Sequence, residues 1–338
     1  MKHIVLCGGA GTRLWPLSNA KEPKQLLKLF QGKSLMQTCL ERNASLTKEV
    51  LIIANQSLQI PTQTQVEELK FENRVSYLWE PQARNTAAAI AMSALLSQPD
   101  EILLVTPADH LISEDNKYQD TIIEAQKLAT EGFLVTIGLK PAYPETGFGY
   151  IEHHGNEVIR FTEKPEKELA EQFIASGNYL WNSGIFCFSA QAIIQELKQH
   201  APAILAEAEQ TVKEYNQTGT ISLEAMLNIP SHSIDYAIME KTNKIKVVPS
   251  SMSWQDVGSY EALIAHLEPK AFSNKTIQIN CLTDTNFVFP SHKPIALVGI
   301  ENLIVVDSPQ GLLILNKGLG QNIKEVHQEI KKHYPEFS

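Results

Sequence analysis

Cysteine is scarce: 338 residues carry only Cys7, Cys39, Cys187 and Cys281, far apart and without a C-x-x-C pair. That usage suggests neither a zinc site nor a dense disulfide framework, and it fits a reducing cytoplasm. An excess of positive charge is missing too. With 29 basic and 38 acidic side chains the formal net charge is −9, so there is no broad cationic field for nucleic acid or an anionic membrane, and any phosphate chemistry has to be local. Long apolar runs are also lacking. The longest uncharged window, Gln172 to Gln195, is interrupted throughout by Ser, Asn, Gln and Gly, which argues against a membrane helix. The opening Met1-Lys2-His3-Ile4-Val5-Leu6 has too short an apolar stretch for the core of a signal peptide. The expectation is a cytoplasmic protein with no nucleic-acid and no membrane partner.

What is present is enough apolar sequence, 43%, for a sizeable core and about two domains. The first 140 residues alternate strand-like runs (His3 to Cys7, Val50 to Ala54, Val75 to Leu78, Ile102 to Thr106, Phe133 to Ile137) with helical stretches at Ser34 to Asn43, Thr86 to Leu96 and Tyr118 to Ala129. This is the pattern of a mostly parallel sheet flanked by helices, whose ligands sit beyond the carboxyl ends of the strands. From Pro141 to about His266 a second lobe on the same sheet is expected. It has a turn-rich Tyr143 to Tyr150, strands at Val158 to Glu163 and Trp181 to Phe188, and helices over 166–176 and 190–200. Beyond Pro269, short strands at Thr276 to Asn280, Phe287 to Phe289, Ala296 to Gly299, Leu303 to Asp307 and Gly311 to Leu315 precede a closing helix, Asn322 to His333. Their spacing suits stacked β-helix coils, although no strict hexapeptide repeat is visible. The expected division is 1–268 and 269–338.

Gly8-Gly9-Ala10-Gly11-Thr12-Arg13 follows the first strand directly, and glycines let backbone amides approach a phosphate closely. It is not a dinucleotide fingerprint, because Leu14 stands where the third glycine belongs. Gly32-Lys33-Ser34 is not a Walker A loop, because Leu27 holds the place of its first glycine. An ordinary tight turn is the competing reading of the glycines. Arg13 and Lys24 in the same connection weigh against it, since two cations beside amide donors suit a polyphosphate.

The run Gly8 to Ser18, then Pro23-Lys24-Gln25, resembles the signature of the sugar-1-phosphate nucleotidyltransferases, in particular their bacterial mannose-1-phosphate guanylyltransferase branch. Seven further blocks resemble that family's, in its order: Glu80-Pro81 with Arg84-Asn85-Thr86-Ala87, Pro107-Ala108-Asp109-His110, Glu145 to Tyr150, Glu163-Lys164-Pro165, Trp181-Asn182-Ser183-Gly184, Ser233-Ile234-Asp235-Tyr236 and Trp254-Gln255-Asp256-Val257-Gly258. Glu22, Ala88 and Cys7 depart from the usual pattern without removing a charged position. The resemblance implies a Rossmann-like, glycosyltransferase-A-like mixed α/β sheet plus a small, left-handed β-helix-like C-terminal domain. Many relatives also carry a C-terminal cupin domain with isomerase activity; this sequence ends before one could fit, and isomerase activity is not expected.

The activity implied is transfer of a guanylyl group from GTP to mannose 1-phosphate, giving GDP-mannose and pyrophosphate without a covalent intermediate. The sugar phosphate, with a second pKa of about 6, is already a nucleophile. Gly8, Gly9, Gly11, Thr12 and Arg13 would then hold the triphosphate, and Lys24 the α-phosphate and incoming sugar phosphate. Glu80, Asn85 and Thr86 would meet the base or ribose, with helix capping the competing role for the last two. Gly147, Glu163, Lys164 and Asn182 would meet the sugar and its phosphate. Asp109 and Asp256 would hold Mg²⁺, or Mn²⁺ in its place, and His110 is expected to pack behind Asp109 rather than act as a base. The His153-His154 pair is expected at a strand edge or turn, with no chemical role. Two rivals stay open: the same chemistry on another nucleotide or hexose 1-phosphate, and a nucleotide-sugar-binding regulatory paralogue without turnover. The β domain is either a homodimerisation element or a cap.

Overall fold

His3-Ile4-Val5-Leu6 is apolar on both faces because both faces are covered. Ile4 packs with Leu51, Ile53 and Leu78 on one side, and Val5 and Cys7 with Val50, Ile52 and Met36 on the other. In a computed structural model, which describes all residues except 10, 268–277, 282–284, 290, 292, 335, 336 and 338, this run is β1 (Lys2–Cys7) of a nine-stranded sheet. Its parallel core is β1, β2 (Glu49–Asn55), β3 (Arg74–Glu80) and β4 (Ile102–Pro107), in the order β3-β2-β1-β4. The chain winds outward from β1 to β3 and then returns to the other side of β1. The switch point therefore lies between β1 and β4, and a crevice opens beyond their carboxyl ends. The glycine loop and Asp109 are the residues that leave those two ends.

The sheet continues as mixed rather than parallel. The short β5 (Leu111–Ser113) pairs outside this sheet with Ser253–Gln255, and the long β9 (Tyr179–Ser189) inserts antiparallel between β4 and β6 (Leu134–Leu139), followed by β10 (Ile245–Ser250), β8 (Glu157–Glu163) and β7 (Gly149–His154). The second lobe is thus an extension of the same sheet, as expected. The turn-rich stretch Tyr143 to Tyr150 already enters β7 at Gly149, and His153 and His154 close that strand at the hairpin into β8. Helix α1 (Leu35–Asn43) begins at Ser34 in a capping box with Gln37, which gives Ser34 a structural role. The alanine-rich α3 (Asn85–Leu95) lies against the sheet among Leu51, Ile53 and Leu78.

The C-terminal strands coil. Residues 278–281 run parallel to Ile295–Val298, and Phe287–Val288 to the following Leu303–Ser308. Both pairings have the same offset of seventeen residues (295 − 278 and 304 − 287), which is one turn of a β-helix-like coil. Leu303–Ser308 then turns antiparallel into Gly311–Asn316, and the helix Ile323–His333 closes the chain. The expected boundary at 268/269, and residues 276 and 277 of the expected strand, lie outside the described residues.

This unit docks on the glycine-loop connection. Leu14 and Trp15 pack with Tyr260, Phe289, Ile304, Leu313 and Ile323 in one cluster. The Trp15 indole donates to the carbonyl of Phe337 at 2.8 Å, the Ser308 hydroxyl to that of Pro16 at 2.9 Å, and the Tyr260 hydroxyl to that of Leu14 at 2.8 Å. Gly311 lies under the indole, where a Cβ would stand 2.9 Å from two ring carbons. Gly311→Ala is therefore expected to lower stability by about 1–3 kcal/mol through overpacking, whereas relief of unfolded-state entropy alone would raise it by ~0.4–1 kcal/mol. Urea unfolding reads the sign.

Candidate active site

Gly11 has a left-handed backbone (φ 60°), and a Cβ there would lie 2.8 Å from Lys24 Cβ and 3.0 Å from Lys24 N. Glycine at this position brings the loop directly onto the segment that carries Lys24. The Ser18 hydroxyl donates to the Gly11 carbonyl at 2.6 Å, and the Gln25 amide donates to the carbonyls of Cys7 and Gly9, each at 3.3 Å. Gly8 and Gly9 instead face open space. The loop's carbonyls are tied back, while the space over Gly8 and Gly9 is open to a ligand.

Lys24 is buried, 8% exposed, with its ammonium 2.8 Å from Asp109 Oδ2 and also hydrogen-bonded to the backbone carbonyl of Asp256. Burial pushes the Asp109 carboxyl up, but the neighbouring Lys24 charge outweighs it together with smaller contributions and holds the group below its ordinary value. Asp256 Oδ1 accepts from the Gly258 amide at 2.8 Å. A Cβ at Gly258 would stand 2.9 Å from both Asp256 oxygens and 3.2 Å from Arg13 Nη1. Arg13, Lys24, Asp109 and Asp256 therefore share one place, although up to 243 residues separate them (256 − 13).

His110 packs beside Asp109 as expected. Its Nδ1 accepts from the Trp254 indole at 3.1 Å, and the two rings meet edge to face at 5.1 Å. Burial lowers its pKa, so the ring is neutral, with its proton on the Nε2 that faces Asp109 at 3.9 Å. Among the described residues no three His, Cys, Asp or Glu side chains gather closely enough to hold a metal alone. The Asp109 carboxylate on the Lys24 ammonium, with Asp256 bonded to the same ammonium through its backbone, nevertheless offers oxygen donors that suit a divalent ion keeping waters and substrate phosphates as its other ligands.

A cavity of about 270 Å³ opens beside this cluster, lined by Gly8, Gly9, Glu80, Asn85, Thr86 and Asp109 among others. A larger one of about 560 Å³ is lined by Phe30, Arg42, Ile112 and His266 and by none of the expected site residues. The smaller is the candidate because the chemistry converges there. Glu80, at the end of β3, is 5% exposed, and its buried Oε1 has no hydrogen-bond partner. Burial raises its pKa to about 7. A buried acceptor without a donor is costly, and a ligand offering N–H groups would relieve it. Asn85 opens α3 with φ 66°, its side-chain oxygen accepting from the Thr86 amide at 2.9 Å, while Thr86 Oγ1 accepts from the Ile234 amide at 2.8 Å.

The remaining candidates form a polar cluster across the sheet. Glu163 and Lys164 pair at 2.8 Å, Asn182 Nδ2 donates to Asp235 Oδ1 at 3.0 Å, and Asn182 Oδ1 accepts from Thr136 at 2.8 Å. Asn182 Oδ1 also accepts from the Gly184 amide at 3.3 Å, and Gly184 faces Pro107 and His110, which joins this cluster to the cation end. Gly147 is exposed. The close approach instead falls at Gly149, where a Cβ would stand 2.5 Å from Glu163 Oε2. Gly149 and Asp235, whose pKa burial and then Glu163 raise to about 6, lie inside the motifs but carry no role in the reading from sequence. Ser18 and Gln25 are likewise missed there, and Gln321, whose Oε1 accepts from Arg13 Nη1 at 3.3 Å, carries no sequence signal.

Two family models match the chain: nucleotidyl transferase over residues 2–270, and the MannoseP isomerase/GMP-like beta-helix domain over 276–330. The Xanthan biosynthesis protein XanB of Xanthomonas campestris pv. campestris is 38% identical over 97% of this chain and 73% of its own length. A Klebsiella pneumoniae mannose-1-phosphate guanylyltransferase is 35% identical over 98% and 74%. A crystal structure from Thermus thermophilus, described as a mannose-1-phosphate geranyltransferase, superposes with a TM-score of 0.82 at 30% identity, covering 98% of this chain and 99% of that one.

The Glu80 environment sets a pH dependence. Its folded value of about 7 exceeds the ordinary value of 4.5, so between these the folded chain binds the proton more tightly and stability falls as pH rises. In Glu80→Gln the stability lost between pH 5 and pH 8 should shrink by about 2 kcal/mol, measured by urea unfolding at the two pH values.

Proposed function

The chain belongs to the nucleotidyl transferase family, with the mannose-1-phosphate guanylyltransferases, and we propose that it joins the guanylyl group of GTP to mannose 1-phosphate, releasing pyrophosphate and leaving GDP-mannose. The observation that carries this reading is the convergence of Arg13, Lys24, Asp109 and Asp256 beside a cavity floored by the unpartnered Glu80 oxygen. GDP-mannose supply for polysaccharide synthesis is the role that XanB's name suggests.

The chemical difficulty is electrostatic: a dianionic sugar phosphate must approach a polyanionic nucleotide in line with a departing pyrophosphate. Arg13, exposed at the mouth, would present a planar fork to the β and γ phosphates, and the amides of Gly8, Gly9, Gly11 and Thr12 would complete the triphosphate loop. Lys24 is a compact charge that can exchange its carboxylate for the α-phosphate and follow it through the transfer. Asp109 and Asp256 would hold the divalent ion that this family generally uses, Mg²⁺ in our reading, and when bound it supplies further positive charge to the phosphates. No base is needed, and the neutral His110 with Nδ1 already engaged is arranged for support. Glu163, Lys164, Asn182, Asp235 and the backbone of Gly147 to Gly149 would receive mannose and its phosphate.

At the base end, ionised Glu80 would accept N1–H and the exocyclic amine of guanine, a donor pair that adenine and the pyrimidines lack in that arrangement. The catalytic unit is assigned to 1–268 and the coiled unit to 269–338. Leu312 and Ile314, 60% and 61% exposed on one face of the last strand, give a second copy a surface to pair with. No described helix is long and apolar enough to cross a membrane. Buried, free Cys7, Cys39 and Cys187 fit a cytoplasmic setting.

The test is pyrophosphate release with four nucleoside triphosphates against mannose and glucose 1-phosphates. GTP with mannose 1-phosphate should be preferred, and its KM for GTP should rise as pH falls below about 7 and Glu80 takes up a proton. Glu80→Gln should lose that pH dependence and relax base choice by ~10- to 100-fold. An unchanged GTP preference in the variant would remove Glu80 from the base site.

A further inference from the structure

We propose that Gln321, in the C-terminal unit, is a positioning residue for the reaction: its side-chain oxygen holds the Arg13 guanidinium at the mouth of the site. The inference rests on the assignment of Arg13 to the triphosphate.

Arg13 sits on a short 3₁₀ turn, Thr12–Leu14, with an exposed side chain. A free arginine there would give up rotamer entropy on binding. Arg13 Nη1 lies close to Gly258, where a Cβ would stand 3.2 Å away, and it donates to Gln321 Oε1 at 3.3 Å. Both ends of the Gln321 contact are fixed by buried neighbours. On one side Leu14 follows Arg13 directly, and on the other Ile323 follows Gln321 by two residues; each is 1% exposed, and both lie in one apolar cluster. The turn Gly320–Asn322 is seated on Glu261, which accepts from the Gly318 amide at 2.8 Å, and a Cβ at Gly320 would stand 2.6 Å from the other Glu261 oxygen. Glu261 belongs to the helix Tyr260–His266, whose Tyr260 hydroxyl reaches the Leu14 carbonyl. The contact therefore closes a ring of fixed elements around one flexible side chain.

The chemistry of the acceptor matters as much as its place. A carboxylate at 321 would bind the guanidinium more tightly but cancel the charge the phosphates need. A neutral amide takes one of five N–H donors and leaves the full positive charge and the remaining fork for the nucleotide.

The experiment is a double-mutant cycle on pyrophosphate release, with Arg13→Ala, Gln321→Ala, Gln321→Met and Arg13→Ala/Gln321→Ala. Gln321→Ala should lower kcat/KM for GTP about tenfold, the scale expected when a charged group loses its orientation. KM for mannose 1-phosphate and the thermal midpoint should stay unchanged, since residue 321 is exposed. Gln321→Met, which keeps the bulk without the amide, should lose as much as Gln321→Ala. In the Arg13→Ala background the second substitution should cost nothing further. Wild-type rates in Gln321→Ala, recovery in Gln321→Met, or the same loss in both backgrounds would each overturn the inference while leaving the role of Arg13 intact. Wild-type rates in Arg13→Ala would overturn that role and the inference with it.

Discussion

The Lys24 ammonium is the tie on which the site depends. It bonds the Asp109 carboxylate and the Asp256 backbone at once, and so joins the connection after β1, the end of β4 and a loop more than 140 residues further along the chain (256 − 109 = 147). Removing such a pair from water costs several kcal/mol per ion before any attraction is counted, which makes it a poor device for stability alone. Its value lies in charge placement. Lys24, Asp109 and Asp256 are the groups that, in the proposed reading, would be shared between polyphosphate and a divalent ion. Lys24 would pair with phosphate, and Asp109 and Asp256 would hold the metal, which supplies further positive charge.

Everything around this tie serves to hold it. The switch point between β1 and β4 places the two loop ends side by side, Gly11 lets the loop touch the Lys24 segment, and Gln25 and Ser18 fix the loop carbonyls. The C-terminal coil adds a second layer of restraint, because Leu14, Trp15 and Pro16 are gripped by its residues from Phe289 to Phe337. The glycine loop and the docked coiled unit thus meet on a single short segment, Leu14 to Pro16.

The parallel half of the sheet is legible in the sequence because β-branched runs alternate with helical periods, and strands buried on both faces leave a continuous apolar pattern. The insertion of β9 between β4 and β6 is not, since strand order depends on long-range pairing rather than on local propensity. Helix Gln59–Glu68, with Pro61 in its first turn and no apolar stripe, gives no periodic signal. Helix Pro202–Thr218 does carry one, with proline at its first position and Gly219 just past its end, and could have been found. In the site, charged motif residues can be named from sequence, but the partners that hold them cannot. Gln321 lies 308 positions from Arg13, and only the folded chain brings them together.

The central claim is that the Lys24 charge is needed for transfer and not only for folding. Initial rates of pyrophosphate release by wild type and Lys24→Ala, measured on samples matched by circular dichroism, address it directly. A loss of about a thousandfold with the fold preserved is expected when the charge facing the reacting phosphate is removed. Equal rates in the two proteins would contradict the account.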